Sequence, residues 1–534
     1  MKSCLWITLI ICSVKIGFCQ EPGSVIDVKH YIFNVDLNDN NDTIKCATTV
    51  RFKFIQASDS IVLDLISRRT NGKGMKIISV SENKKPLNFL HVSDRVHIRF
   101  SERANLNEER IVQLVYYGIP ADGLVISKNK YNHRTFFGDH WPNRARHWLA
   151  CIDHPADKAS VEFFVTAPLH YQVISNGILI EETNVDAFRR LTHYSEPVDI
   201  PMKVAVIGVA DFAVHFEGTV NNIPVYSWVY PEDRTKGFYD FRLATEILPF
   251  FIRNVGPYGF QKLANVQSKT IFGGMENAGA IFYGENIVTG KRTSEELIAH
   301  EIAHQWFGNM VTETSWPHLW LSEGLATFMA IAYMESKYGT DTAMKMRSAD
   351  RLEVVDFLKQ YSKPVVDSST SDYLELLNAN SYQKGGWILH MLRRELGDSI
   401  FWNGIRFYYQ KYSGKNAVTQ DLRQSFEKVS GKDLKQFFQQ WLFTVGHPIL
   451  DIQWNHDTAK KLVTLNIRQL QETLFVFPLE IKLTGITNTS YTIKKILVKD
   501  KQLSIQISTT GKPVQLLIDP DVNLLFEGNI KRLE

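Results

Sequence analysis

The run His300-Glu301-Ile302-Ala303-His304 sets the tightest limit on what this chain folds into. H-E-x-x-H makes chemical sense on a helix, where residues four apart share a face and two imidazoles can meet one ion. Its flanks predict a helix from Glu295 to Phe307. Thr293 is placed to cap the start, with Glu296 three residues on reaching back as in a capping box. Gly308 is placed to end it in the left-handed conformation. A third ligand must come from elsewhere. Glu323, in Trp320-Leu321-Ser322-Glu323-Gly324, opens a second helical run to Lys337, so a helix hairpin would bring its carboxylate under His300 and His304. Two His and one Glu leave a fourth tetrahedral position open, as in catalytic rather than structural zinc. Glu301 lies about 100° round the helix from His300, which suits a general base acting on water, not a ligand.

The chain of 534 residues has room for two to four domains. It is 44% hydrophobic and 22% charged, ordinary for a folded protein. The formal charge of +3 includes Lys2 and Lys15. Both belong to a segment that reads as a secretory signal over residues 1–19: Lys2, an apolar run Cys4 to Val14 too short to span a bilayer, then neutral residues to Cys19. Cleavage there would leave Gln20 first and a nearly neutral mature chain. That predicts a secreted protein, with no electrostatic case for nucleic acid and no stable membrane span. Acylation at Cys19 is disfavoured by bulky Phe18. Of five cysteines only Cys46 and Cys151 lie beyond the leader, so a disulfide and two buried thiols both stay open.

Residues 20–230 are predicted to be a β-rich domain. Tyr31, Phe33, Val35 and Leu37 alternate with polar neighbours, as do Val50, Phe52 and Phe54, and Val96, Ile98 and Phe100. Within it, Asp139 to Pro155 crowds three histidines and two tryptophans into a turn-rich span. This is a packed loop at a domain seam, or one wall of a cleft. Residues 231–447 carry helical patterns, including 238–251, 323–337, 342–359, 382–396, 399–412 and 419–429. Residues 448–534 return to alternation, as in Phe477, Leu479, Ile481 and Leu483, and predict a small β-sandwich.

Two further segments carry candidate chemistry. In Gly273-Gly274-Met275-Glu276-Asn277 the glycines let a backbone run beside a ligand. Glu276 puts a carboxylate in an otherwise uncharged segment, where it needs a partner such as a substrate ammonium. Tyr382, in Tyr382-Gln383-Lys384-Gly385-Gly386, starts a helix and could donate to an oxyanion, although tyrosines in such places more often pack. Asn309 comes just after the metal helix and could orient a ligand histidine or cap the helix end.

In this order, G-G-M-E-N, H-E-x-x-H, eighteen residues, Glu, and Y-x-K-G-G resemble the zinc aminopeptidase family of aminopeptidase N and leukotriene hydrolase. The likeness covers nearly all of the chain beyond the leader. It implies a multidomain α+β fold: a saddle-like β domain, a thermolysin-like mostly helical zinc domain and a small β-sandwich. It implies one zinc held by His300, His304 and Glu323, with Glu301 as general base passing its proton to the leaving amine. Tyr382 would stabilise the oxyanion, Glu276 would bind the free α-amine, and Gly273, Gly274, Met275 and Asn277 would line the substrate site. The substrates would be peptides with a free N-terminus. There are departures. Ser322 stands where the family usually has Asn. Trp141 stands where many members carry Gln or Glu as a second amine contact, a role Asp139 could take. The large helical C-terminal domain of many members has no counterpart after the third segment, which predicts a more open cleft. Two other readings are kept: a bifunctional aminopeptidase and epoxide hydrolase, and a non-catalytic zinc scaffold.

Overall fold

A computed structural model of the chain describes residues 23–485, 491–509 and 512–533. Residues 1–19, read above as a secretory signal, lie outside the described residues.

The front of the chain is β-rich, as its alternation predicts. Strands Ile26–Asp36, Ile44–Phe54 and Lys158–Pro168 form the centre of an eight-stranded sheet, the first antiparallel to the second and parallel to the third. Tyr31, Phe33, Val35, Val50, Phe52 and Phe54 all point into the core. A four-stranded and a three-stranded sheet complete this part. Cys46 and Cys151 are buried free thiols, and burial pushes both well above the usual thiol range, so they stay protonated and inert.

A five-stranded sheet then crosses the boundary expected at residue 230. Its order is Ala213–Val220, Ile223–Val229, Leu263–Ser268, Ala280–Gly284, Gly274–Met275. Ile223–Val229 pairs in parallel with Leu263–Ser268, and a parallel pair needs a crossover. Helices Arg234–Phe241 and Ala244–Asn254 supply it, in place of one helix over 238–251. The strands just before residue 230 thus share a sheet with strands well beyond it.

Past this sheet the chain is helical: Glu295–Ala303, Trp320–Tyr338, Thr340–Leu358, Gly385–Leu396, Asp398–Tyr412 and Thr419–Ser430. Helix Lys435–Leu442 was not foreseen; its apolar face, Phe438, Trp441 and Leu442, is buried. Helices Trp320–Tyr338 and Gly385–Leu396 meet at glycines: a Cβ on Gly324 would sit 2.8 Å from Gly385 Cα. Only two residues without side chains allow backbones this close.

The last part forms a four-stranded and a three-stranded sheet. It is tied to the helices by Arg351 to Asp519, Arg347 Nε donating to the Val522 carbonyl at 3.1 Å, and His390 with Asn523 at 3.0 Å. No described helix is long and apolar enough to cross a membrane.

Candidate active site

His300, His304 and Glu323 converge. One ligand atom from each lies within 4.8 Å of the others. Glu323 Oε2 is 3.3 Å from His300 Nε2 and 3.2 Å from His304 Nε2. The hairpin geometry read from the sequence therefore holds, but its details differ. The first helix runs only from Glu295 to Ala303, with His304 as its C-cap and Ser294, not Thr293, at its N-cap. No side chain caps it, so the capping box with Glu296 does not form. Instead Glu295 clamps the hairpin, accepting from the Tyr333 and Tyr338 hydroxyls and from Lys337. The early end of the helix frees the Phe307 carbonyl to fix a ligand. His304 Nδ1 faces that carbonyl at 3.0 Å and the Ser322 hydroxyl at 3.1 Å, which leaves Nε2 for an ion. Gly308 has a positive φ of 123° in this turn, past the end of the helix rather than at it.

The electrostatics call for a cation at this point. Burial pulls His300 down. Burial opposes the charge on His304 too, but Glu323 and Glu276 outweigh it and hold this imidazole up to about 10. Although buried, Glu323 is held below the usual carboxylate range by His304 and His300. Two imidazoles, His304 giving up its proton to the incoming ion, and a carboxylate around one point fit a divalent zinc ion in donor type and number.

A cavity of about 550 Å³ opens over these residues. The edge strand Gly274–Met275 forms one wall, paired on one side only, to Ala280–Gly284. An extended peptide can add to such a free edge. Gly274 has to be bare, since a Cβ there would run into the Glu301 carboxylate. Next along, Glu276 is 5% exposed and lines the cavity, and its Oε1 has no hydrogen-bond partner. It forms a second close group with Glu301 and His304, within 4.8 Å. Its backbone is fixed from below: Gln305 Nε2 and Asn309 Nδ2 donate to its carbonyl at 2.9 and 2.7 Å. Asn309 therefore holds the Glu276 turn and orients no histidine.

Glu301 lines the cavity beside the ligands, its carboxyl held well above the usual range by burial, with Glu276 and Glu323 adding and His304 opposing. Tyr382 lies in a π-helical turn, Asn380–Lys384, which runs into helix Gly385–Leu396. Such turns are frequent at functional sites. The Gly324–Gly385 contact brings this turn against the Glu323 helix, and the Tyr382 ring stacks on His300 with centroids 5.8 Å apart. Burial, then Glu323 and Glu276, push its hydroxyl far above 10, so it remains a donor at any ordinary pH.

Residues 239–441 match the model of the peptidase family M1 domain, and residues 27–202 that of the peptidase M1 N-terminal domain. The chain belongs to the M1 peptidases. It is 25% identical over 515 residues to probable aminopeptidase 2 of Sulfurisphaera tokodaii, covering 90% of this chain and 63% of that protein. It is 25% identical over 510 residues to leucyl aminopeptidase of Saccharolobus solfataricus, 89% and 62% respectively. With glutamyl aminopeptidase of Homo sapiens it shares 29% over 350 residues, 62% of this chain and 36% of that one. The chain thus spans less than two thirds of the length of these curated relatives.

Two expectations about this M1 site fail. Asp139 does not reach the cavity. It is fully buried, accepts from Arg144 at 2.6 Å and from the Ile271 amide at 2.9 Å, and burial raises its carboxyl. Asn277 is fully buried and absent from the cavity lining, so it forms no wall for substrate. The Asp139 to Pro155 loop is mostly a packed seam, as in Trp148 Nε1 donating to His140 Nε2 at 2.9 Å; of its residues only Trp141 reaches the cavity. The sequence reading also missed Lys203. Its ammonium pairs with Glu313 at 2.5 Å, the two side chains 1% and 0% exposed; burial opposes its charge, but Glu313 and then Glu276 outweigh burial and raise it. Lys203 lies almost 100 residues before His300 with no motif around it, so no local signal marks it.

Proposed function

We propose that this chain is a zinc-dependent aminopeptidase that removes N-terminal residues from peptides. The observation that carries this reading is Glu276: a buried carboxylate with an unpartnered oxygen, beside the base and a metal ligand. Taking a carboxylate out of water is costly unless a cation or hydrogen-bond donor meets it, and Glu276 Oε1 has no such partner. A free α-ammonium fits, and it sets the cut one residue in.

His300, His304 and Glu323 would hold zinc, which when bound would supply Lewis acidity and lower the pKa of a water. The other roles belong to the chain itself. The Gly274–Met275 edge takes the peptide backbone. Glu276 fixes the ammonium. The Glu301 carboxylate takes a proton from water as the new C–O bond forms, then hands it to the leaving nitrogen as the C–N bond breaks. The Tyr382 hydroxyl donates to the carbonyl oxygen as negative charge develops there. Ser322, through His304, keeps the ligand ring in place. We also read the leader as a signal for export, which the mature N-terminus of secreted protein, expected at Gln20, would test. The saddle form of the front domain and a sandwich of the two C-terminal sheets belong to the same reading.

The test uses zinc-loaded protein and leucine p-nitroanilide. Turnover is expected, lost with chelator. Glu301→Gln should keep one zinc per chain while kcat falls by about 10²–10⁴-fold. Near-parental turnover in that variant would remove Glu301 as the base; no turnover in the parent would leave a zinc scaffold.

A further inference from the structure

Five carboxylates line the cavity, Glu276, Glu296, Glu301, Glu323 and Asp350, and no lysine or arginine is among its described lining residues. Three of them have tasks in the proposed reaction. Glu296 and Asp350 do not, and neither makes an ion pair or a side-chain hydrogen bond among the described residues. A first-turn glutamate such as Glu296 is favoured by the helix dipole alone. Asp350 has no such account: it sits inside helix Thr340–Leu358, facing the cavity. Its carboxyl is held up to about 7, first by burial, then by Glu296 and Glu353, against Arg347. That arginine is buried and turned to the Val522 carbonyl. Both acids thus line one cavity, Glu296 adding to the burial that raises Asp350, with no lysine or arginine in the lining. That this cavity receives a ligand has separate support in Glu276, 5% exposed, which lines it and whose Oε1 has no hydrogen-bond partner.

Position along the ligand helix decides which part of a substrate meets them. Glu296, His300 and His304 succeed one another at four-residue steps on one face, about 6 Å apart. Glu276 groups with Glu301 and His304, toward the far end. Glu296 lies one turn the other way, past His300. A peptide whose ammonium is on Glu276 and whose first carbonyl is over the metal site runs on toward Glu296 and Asp350. Leu297, Thr327 and Ala330 line the same stretch and offer a wall for a methylene stem.

We propose that Glu296 and Asp350 form a subsite for a cationic side chain, arginine or lysine, on the residue just after the bond that is cut. This rests on the aminopeptidase reading for the direction of the peptide, and the test separates the two. Binding of leucyl-arginyl-glycine, leucyl-alanyl-glycine and leucyl-glutamyl-glycine to zinc-loaded Glu301→Gln protein is measured by calorimetry, which needs no turnover. The arginyl peptide is expected to bind about tenfold tighter than the alanyl one, and the glutamyl peptide weaker still. Adding Glu296→Gln and Asp350→Asn should bring the arginyl and alanyl peptides to within roughly threefold, and Glu296→Lys alone should favour the glutamyl peptide. In the parent, kcat/KM for the three peptides should fall in the same order. Equal binding of all three, or a preference for arginine that survives both neutral substitutions, would overturn the subsite. A preference at the first residue instead of the second would overturn it too. Leucine p-nitroanilide has no second side chain, so its cleavage reports the aminopeptidase reading alone.

Discussion

Replacing Glu276 by glutamine separates a substrate anchor from a structural acid. The side chain keeps its shape and loses only its charge. Its backbone is held through the carbonyl by Gln305 and Asn309, so the turn does not depend on the carboxylate. A hydrogen bond to a charged group contributes about 1.5–3 kcal/mol, which corresponds to a loss of about 10- to 150-fold in kcat/KM. The loss should appear with leucine p-nitroanilide and be nearly absent with its N-acetyl derivative, which has no ammonium to offer. Stability should move the other way. In the free protein Oε1 has no partner, so replacing this buried carboxyl by an amide should leave the melting temperature unchanged or raised. The Lys203–Glu313 pair keeps Lys203 satisfied in the variant. Equal losses on free and blocked substrates would refute amine anchoring. A melting temperature several degrees lower would show that Glu276 holds the fold instead.

The geometry sets three further outcomes. Tyr382→Phe should lower kcat by about 10²–10³-fold with KM within roughly twofold; a change confined to KM in steady-state assays would mean that the ring only packs on His300. Ser322→Ala removes one of two partners of His304 Nδ1 and should weaken zinc binding by about tenfold, read by competition with a chelator; unchanged affinity would assign the ring's orientation to the Phe307 carbonyl alone. Lys384 is fully buried, and burial lowers its ammonium to about 7. The unfolded chain then binds more protons than the folded one between about pH 7 and about pH 10.4, so the parent gains stability as pH rises through that window. Lys384→Met should lack this gain, and its urea midpoint should fall behind the parent's between pH 7 and pH 10; parallel curves would contradict a neutral buried lysine.

Much of the site was legible because its parts are local. His300, Glu301 and His304 belong to one helix turn, and Glu323 comes after a short connection, so spacing alone predicts their meeting. The front strands were readable for a similar reason: a half-buried strand writes its burial into alternate residues, as Tyr31, Phe33 and Val35 do. Local signals also misled. Thr293 and Glu296 have the spacing of a capping box, yet Glu295 is drawn to Tyr333, Lys337 and Tyr338, and that clamp sets the helix start. Near residue 230 hydrogen bonding carries one sheet from Ile223–Val229 to Leu263–Ser268, a pairing that the change of composition there does not foretell.

The sequence by itself determined the chemistry on offer: two imidazoles, a third ligand, a base, and an acid in an apolar turn. Only the tertiary structure decided what surrounds them. It paired Asp139 with Arg144 and Lys203 with Glu313, and left Glu296 and Asp350 facing one space. The physical reason is range. Backbone periodicity and caps act over a few residues and leave their mark in order along the chain, while desolvation and charge act through space between segments that the sequence does not place side by side.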